Sequence, residues 1–285
     1  MQLYTPNCEI KPGMALPDGV HRYALVVEYD GTQYQGFQRQ ASAKKTVQGE
    51  LEKALSAVAA HPVTLVCAGR TDAGVHAAHQ VIHFDSTAER GERAWIEGVN
   101  TKLPESIRVR WASEVAGEFH ARFAAVSRTY RYFTYTDRVR SAFLPFNATW
   151  LRGELNMEAM QLAASHLLGE HDFSSFRASQ CQAHSPVRRI DSIQFSQISS
   201  FIVMEIKANA FLHHMVRNIM GSLYEVGRGA RPPEWIGELL TLKDRNVAAP
   251  TAAPYGLYLV GVEYPEQFAV PAKLPQNGLL GLFNP

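Results

Sequence analysis

The largely apolar run over residues 23–29 reads as a strand, with Tyr23, Leu25, Val27 and Tyr29 on one face. Asp30-Gly31-Thr32 turns the chain, and a polar, aromatic loop, Tyr34-Gln35-Gly36-Phe37-Gln38-Arg39-Gln40, follows. Thr46 is placed to cap a helix whose apolar stripe is Val47, Leu51, Ala54, Leu55 and Val58. Residues 63–67 and 80–84 read as strands, 92–101 as a helix, and Ile107, Val109 and Trp111 alternate as a further strand. The order β-α-β-β-α-β is that of a split βαβ, ferredoxin-like unit, which packs its helices on one sheet face and leaves the other available.

A second half of similar rhythm begins near residue 117. Its longest alternating stretch, residues 128–135, puts Arg128, Tyr130, Tyr132 and Thr134 on one face and Thr129, Arg131, Phe133 and Tyr135 on the other. Asn156 can cap a helix with Met157, Met160, Ala164, Leu167 and Leu168 inward, and residues 171–177 read as a loop. Residues 190–195 and 201–208 look like paired strands, and a helix is expected over 211–224 on the stripe Leu212, Val216, Ile219, Leu223. Pro232 and Pro233 start a shorter helix ending near Leu242, and residues 256–262 form a last strand.

The expected organisation is a loose arm over 1–20, an N-terminal α+β subdomain over 21–116, a C-terminal α+β subdomain over 117–264, and a peripheral Pro/Gly-rich tail over 265–285. The fold class is α+β: two ferredoxin-like (split βαβ) subdomains joined into an extended mixed, mainly antiparallel sheet with helices on one face.

Composition narrows the function classes. With 285 residues and 46% hydrophobic content the chain can bury one large or two medium cores. No apolar run approaches 18 residues, so no membrane span is expected. Cys8, Cys67 and Cys181 have neither a disulfide-framework nor a zinc spacing, which fits a reducing, cytoplasmic setting. The net charge is only +1, yet 20 of the 28 basic residues are Arg. Arginine's planar fork suits phosphate contact and stacking on bases, although genomic base composition also biases arginine use. Walker A, GxGxxG and G-x-S-x-G patterns are missing, which removes the usual ATPase, dinucleotide and α/β-hydrolase readings.

The chemistry concentrates in the loop Gly69-Arg70-Thr71-Asp72-Ala73-Gly74-Val75-His76, between two strand-like runs. Its glycines allow close backbone approach beside one carboxylate and one guanidinium. Asp72 either caps backbone N–H groups or serves as an ionised nucleophile toward carbon. Arg70 either pairs with it or fixes the phosphate of a flipped nucleotide. Tyr130 and Tyr132, sharing a face with Arg128, either build a structural aromatic ladder or offer one ring to stack on a base or take a proton. Arg217, in an apolar helical region near His213 and His214, must be paired or face a cleft. The two histidines lack a metal-ligand pattern, so no metal site is expected. His76, His79 and His83 suit satisfied polar or RNA-contacting roles. A non-catalytic RNA-binding dimer would fit the same scaffold. A glycosidic hydrolase would need a second carboxylate near Asp72, and Asp85 and Glu89 fall beyond the second strand.

The chain resembles the tRNA pseudouridine synthase family that acts on uridines 38, 39 and 40 of the anticodon stem-loop. The resemblance rests on Ala68–His76 (AGRTDAGVH) and on Tyr29-Asp30-Gly31-Thr32, Gly36-Phe37-Gln38-Arg39-Gln40 and Thr46-Val47-Gln48. It extends through Phe119-His120-Ala121-Arg122-Phe123, Arg128-Thr129-Tyr130-Arg131-Tyr132, residues 211–218 and residues 253–259, spanning roughly 21–262 in order. Tyr255 departs mildly from the pattern, where many relatives carry a smaller or acidic residue.

That resemblance implies a pseudouridine synthase fold and a homodimer with a basic cleft, acting on tRNA with no metal and no cofactor. It implies Asp72 as the catalytic aspartate, Tyr130 as the tyrosine that stacks on the base and assists loss of the C5 proton, and Arg217 as the basic partner of the aspartate. Leu257 would wall the uracil, and Arg70 would enter the stem-loop and hold the nucleotide flipped out. Arg39, Arg122, Arg128 and His213 are further expected substrate contacts; each of Arg22, Arg39, Arg122, Arg128, Arg188 and Arg189 either contacts phosphate or forms a surface ion pair.

Overall fold

The computed structural model describes residues 16–40, 45–276 and 278–282, so the expected N-terminal arm lies outside the described residues as far as residue 15. The protein is α+β, with mainly antiparallel sheet and helices on one face. It divides into two compact units. The first takes the described residues up to Val126 together with Leu259–Leu274; the second takes Ser127–Tyr258 and the described residues from Pro275 on.

In the first unit β1 (His21–Tyr29) lies between β4 (Ile107–Val115) and β3 (His76–Ser86), antiparallel to both, and β2 (Leu65–Cys67) pairs antiparallel with β3. Helix α1 (Val47–Ala59) starts where Thr46 Oγ1 accepts from Gly49 N at 3.2 Å, and buries Val47, Leu51, Ala54 and Leu55. The helix expected over 92–101 is present over 92–100, its middle, Ala94–Gly98, wound as a π-helix that seats Trp95 against Tyr23 and Phe84 at 5.0 Å each.

The opposite sheet face is not left available, as the split βαβ pattern suggests. Residues 117–124 cross it: Arg22, buried, donates to Gly117 O and Phe119 O, and Ala121 N donates to His83 Nδ1. Nor is the start of the tail merely peripheral. Phe268 packs edge-on against Phe119, and His79 Nε2 lies 2.9 Å from Pro271 O. Both faces of β1 are therefore covered, and Ala24 through Val27 are fully buried.

In the second unit β5 (Ser127–Thr136) pairs antiparallel with β9 (Phe201–Ala208), then come β8 (Val187–Ile198) and β7 (Gly169–Asp172). A short β6 (Thr149–Leu151) runs parallel to β5. Neither β6 nor β7 shows in the sequence, because runs of three or four residues are too short to display a period. Asn156 caps α2 (Met157–Ser165) through Ala159 N. Helix α3 (Met215–Gly227) packs on the β5 face that carries Thr134, whose Oγ1 lies 2.6 Å from Tyr224 Oη. It begins four residues later than the expected 211, because His214 takes the left-handed conformation (φ 62°), which an α-helix does not admit. Helix α4 (Trp235–Leu242) follows Pro232-Pro233 as expected. The last strand, β10 (Leu257–Glu263), begins in the second unit and ends in the first; a short α5 spans Gly278–Leu282.

Candidate active site

The Asp72 loop connects β2 to β3, and its shape is imposed from outside. Gln80, fully buried on β3, grips the Gly69 peptide with both ends of its amide: Nε2 donates to Gly69 O at 2.5 Å and Oε1 accepts from Gly69 N at 3.2 Å. Tyr29 Oη lies 2.8 Å from Thr71 Oγ1, and Phe37 N donates to Thr71 O at 3.0 Å. Val75 N closes a turn onto Asp72 O at 3.1 Å, with Gly74 at φ 78°.

Two glycines let neighbouring backbone reach the loop. A Cβ on Gly36 (φ 89°) would meet Thr71 O at 2.8 Å, and one on Gly31 would meet Val75 O at 1.9 Å. This explains why the polar loop after β1 carries Gly36 and Phe37: it props the loop's backbone. With the backbone held by Gln80 and Phe37 and the Thr71 side chain by Tyr29, Thr71 is buried while Asp72 stays half-buried and Arg70 exposed. A clamped backbone with a presented carboxylate is the arrangement a nucleophile requires.

Arg70 and Arg122 converge on Cys67. Burial pushes that thiol up to about 11, and the two guanidinium charges work against the rise. Arg122 is exposed and lies over the Phe123 ring at 5.4 Å. Arg39, also in this unit, pairs at 3.4 Å with Glu52, a buried carboxylate that also accepts from Gln48 and from Leu65 N. Arg22 is no phosphate contact: it forms a buried bidentate pair with Asp85 at 2.7 and 2.8 Å. His76, His79 and His83 are buried rather than on the surface; His76 and His83 are satisfied, whereas His79 Nδ1 is buried with no hydrogen-bond partner among the described residues. His76 Nδ1 accepts from Gly31 N, and His83 accepts from Ala121 N.

The second unit carries Tyr130, Arg128, Arg217, His213 and Leu257. The pair left open by sequence separates clearly. Tyr132 is fully buried, its hydroxyl donating to Ala253 O at 2.6 Å and lying 2.7 Å from Thr149 Oγ1; burial pushes its phenol up to about 12. Tyr132 is the structural tyrosine. Tyr130 retains slight exposure (8%) and meets Phe211 edge-on at 5.1 Å.

Arg217, on the first turns of α3, is tied to the segment before β10: its Nε donates to Ala252 O at 2.9 Å, and its own carbonyl accepts from Ala252 N. That segment is pressed between α3 and β5. A Cβ on Gly221 would lie 2.1 Å from Pro250 O, and one on Gly256 2.4 Å from Phe133 O. Leu257 follows directly, almost fully buried, its N bonded to Pro254 O. Arg217, Tyr132 and Leu257 are thus gathered by one segment, residues 250–257. His213 is exposed and not helical, and its ring lies 4.0 Å from that of His214. Arg128 donates to Asn209 O, and Arg189 forms a surface pair with Asp191 at 2.7 Å.

Sequence reasoning missed Gln80, Tyr29 and Thr71 as the clamp. No local signal marks them, because Gln80 and Tyr29 meet the loop only in the fold.

Comparison with known proteins points one way. A family model described as tRNA pseudouridine synthase matches residues 25–124 and 163–265. The tRNA pseudouridine synthase A of Enterobacter sp. (strain 638) is 53% identical over 271 residues, 95% of this chain and 97% of that protein. Those of Shewanella sp. (strain MR-4) and Pasteurella multocida (strain Pm70) are 54% and 53% identical, covering 88% and 92% of this chain and 95% and 97% of theirs.

Proposed function

Since the chain belongs to the tRNA pseudouridine synthase family, we propose that it isomerises uridine to pseudouridine at positions 38, 39 and 40 of the tRNA anticodon stem-loop. The observation that carries this reading is the clamped loop 68–76, which is held through Gln80, Tyr29 and Phe37 and presents Asp72 beside Arg70.

A uridine within a stem is unreachable until it leaves the stack, which costs a few kcal/mol. Arg70, exposed on the loop, enters the stem-loop and offsets part of that cost by holding the nucleotide out. Asp72 attacks C1′ of the sugar or C6 of the base; the N1–C1′ bond breaks, the uracil rotates, C5 bonds to C1′, and the bond to Asp72 breaks, which returns the carboxylate. Tyr130 stacks on the base and assists departure of the C5 proton, directly or through water. Arg217 supplies the positive charge that partners the nucleophilic carboxylate. Leu257 provides an apolar wall, since water reaching a detached uracil would divert the reaction. Arg39, Arg122, Arg128 and His213 contact the RNA. An A-form stem is recognised by shape more than by base identity, which suits one enzyme serving three adjacent positions.

The proposal extends to the assembly. The enzyme works as a homodimer in the cytoplasm, with no metal and no cofactor. Each unit is a ferredoxin-like subdomain, a reading supported in the first unit by the antiparallel order β4-β1-β3-β2.

The test uses three tRNA transcripts, each with a single uridine at 38, 39 or 40, probed by carbodiimide modification and primer extension. Pseudouridine at all three is expected. A wild-type enzyme that binds these transcripts and leaves every uridine unchanged would overturn the proposal.

A further inference from the structure

Residues 119–126 of the first unit form a turn whose backbone is held from several sides. Arg22 donates to Phe119 O, Ala121 N donates to His83 Nδ1, and Tyr264 Oη donates to Ala121 O at 2.7 Å. Buried His120 closes the turn: its Nδ1 accepts from Arg122 N at 3.2 Å and from Phe123 N at 3.1 Å. Ala124 N donates to His120 O, and Val126 N to Glu263 O.

Out of this fixed backbone the Phe123 ring projects with 63% of its surface exposed. Two neighbours set its orientation. The His120 ring stacks on it at 4.4 Å with 27° between the planes, and the Arg122 guanidinium lies over it at 5.4 Å. Isolated exposed apolar side chains are ordinary and call for no explanation. A ring backed by an imidazole and flanked by a guanidinium is different, because it is oriented before anything binds and has little freedom left to lose. So exposed, it also adds little to the stability of the fold.

The cation beside the ring favours a nucleotide over a second protein as the partner. A base stacks on the aromatic face while the phosphate of the same nucleotide meets the guanidinium. Bases inside a stem are already stacked and paired, so an unpaired base is the one that can use the ring.

We propose that Phe123 is a stacking platform for one unpaired base of the RNA substrate. The inference rests on the reading of the protein as a tRNA-modifying enzyme and adds to it a contact made by an aromatic side chain. The platform positions the RNA and takes no part in bond making.

The experiment uses full-length tRNA transcripts, each carrying 2-aminopurine at a single unpaired position, with wild type, Phe123→Ala, Phe123→Leu and Phe123→Tyr. Affinity is measured by filter retention, and stacking by the fluorescence of the probe at saturating enzyme. Alanine and leucine are expected to weaken binding about tenfold, and tyrosine to bind as wild type does. At one or more positions the probe's fluorescence should change with wild type and Phe123→Tyr and stay constant with the other two. Leucine keeps apolar bulk without a π-face, so it separates stacking from mere hydrophobic contact. Leucine equal to phenylalanine, or full affinity in a folded Phe123→Ala protein, would overturn the proposal. Full affinity together with a lowered sedimentation coefficient would overturn it too, and assign the ring to a contact between two copies of the chain. Wild-type pseudouridine formation, read in the same preparation, reports separately on the activity: binding that depends on Phe123 with no pseudouridine formed would sink the functional reading alone.

Discussion

The two units differ most in the histidines they bury. The first buries imidazoles and an arginine–carboxylate pair: His76, His79, His83 and Arg22–Asp85 all lie beneath its surface. The second buries no histidine among the described residues; it buries Tyr132, Tyr224, Thr134 and Ser222, and an arginine of its own, Arg131, paired with Glu205 at 2.6 Å. In the first unit these groups lie on or beside β3, the strand that holds the Asp72 loop through Gln80. In the second Tyr132, Tyr224 and Thr134 join β5 to α3 and to the segment ending at Leu257.

The largest consequence is that the units fail at opposite ends of the pH scale. Burial lowers His79 to about 4, and it lowers His83 in the same direction. A histidine kept neutral by the fold contributes stability present above its unfolded value near 6.5 and lost as pH falls toward 4. For His79 that is about 3 kcal/mol. Burial raises Tyr132 to about 12 and raises Tyr224 as well. Their contribution is present below about pH 10 and lost as pH climbs above it; for Tyr132, lost toward pH 12, it is on the order of 3 kcal/mol. Urea titrations read by tryptophan fluorescence check this, since Trp95 and Trp111 report on the first unit and Trp150 and Trp235 on the second. The first unit should weaken selectively at pH 4.5 and the second at pH 11; weakening of both together would remove the contrast.

Loop geometry comes next in size. Gly36→Ala places a Cβ 2.8 Å from Thr71 O at a left-handed position, so the loop carrying Asp72 must shift. A displacement near 1 Å costs about a hundredfold in kcat. Single-turnover kinetics with pre-bound tRNA measures it, and an unchanged rate would show that Gly36 does not set the loop.

The smallest effect, and the finest discrimination, lies on β5. Tyr132→Phe leaves Ala253 O without its donor and should cost about 1–2 kcal/mol of stability with kcat nearly intact. Tyr130→Phe should do the reverse, lowering kcat with an unchanged melting temperature. Thermal melts beside turnover rates separate the two tyrosines.

Those tyrosines also mark where sequence reasoning stops. Period two puts Tyr130 and Tyr132 on one face and cannot distinguish them, because the difference is depth: residues 149 and 253, far along the chain, engage only Tyr132. What a short window can hold was legible, including the Thr46 and Asn156 caps, the stripe of α1, the pairing of residues 201–208 and the loop around Asp72. The start of α3 was not, since one left-handed residue, His214, decides it. Arg22 was equally opaque, because its partner Asp85 lies 63 residues away. The reactive group was readable, whereas the clamp formed by Gln80 and Tyr29 needed the fold.

The central claim is that the clamped loop exists to present Asp72 as a nucleophile. Its most direct test is tritium release from tRNA labelled at C5 of uridine, comparing wild type with Asp72→Asn, which preserves shape and removes the charge. Release by wild type and none by the variant, with tRNA binding and melting temperature unchanged, is the predicted result. Release that continues in the variant would contradict it and move the chemistry to another residue.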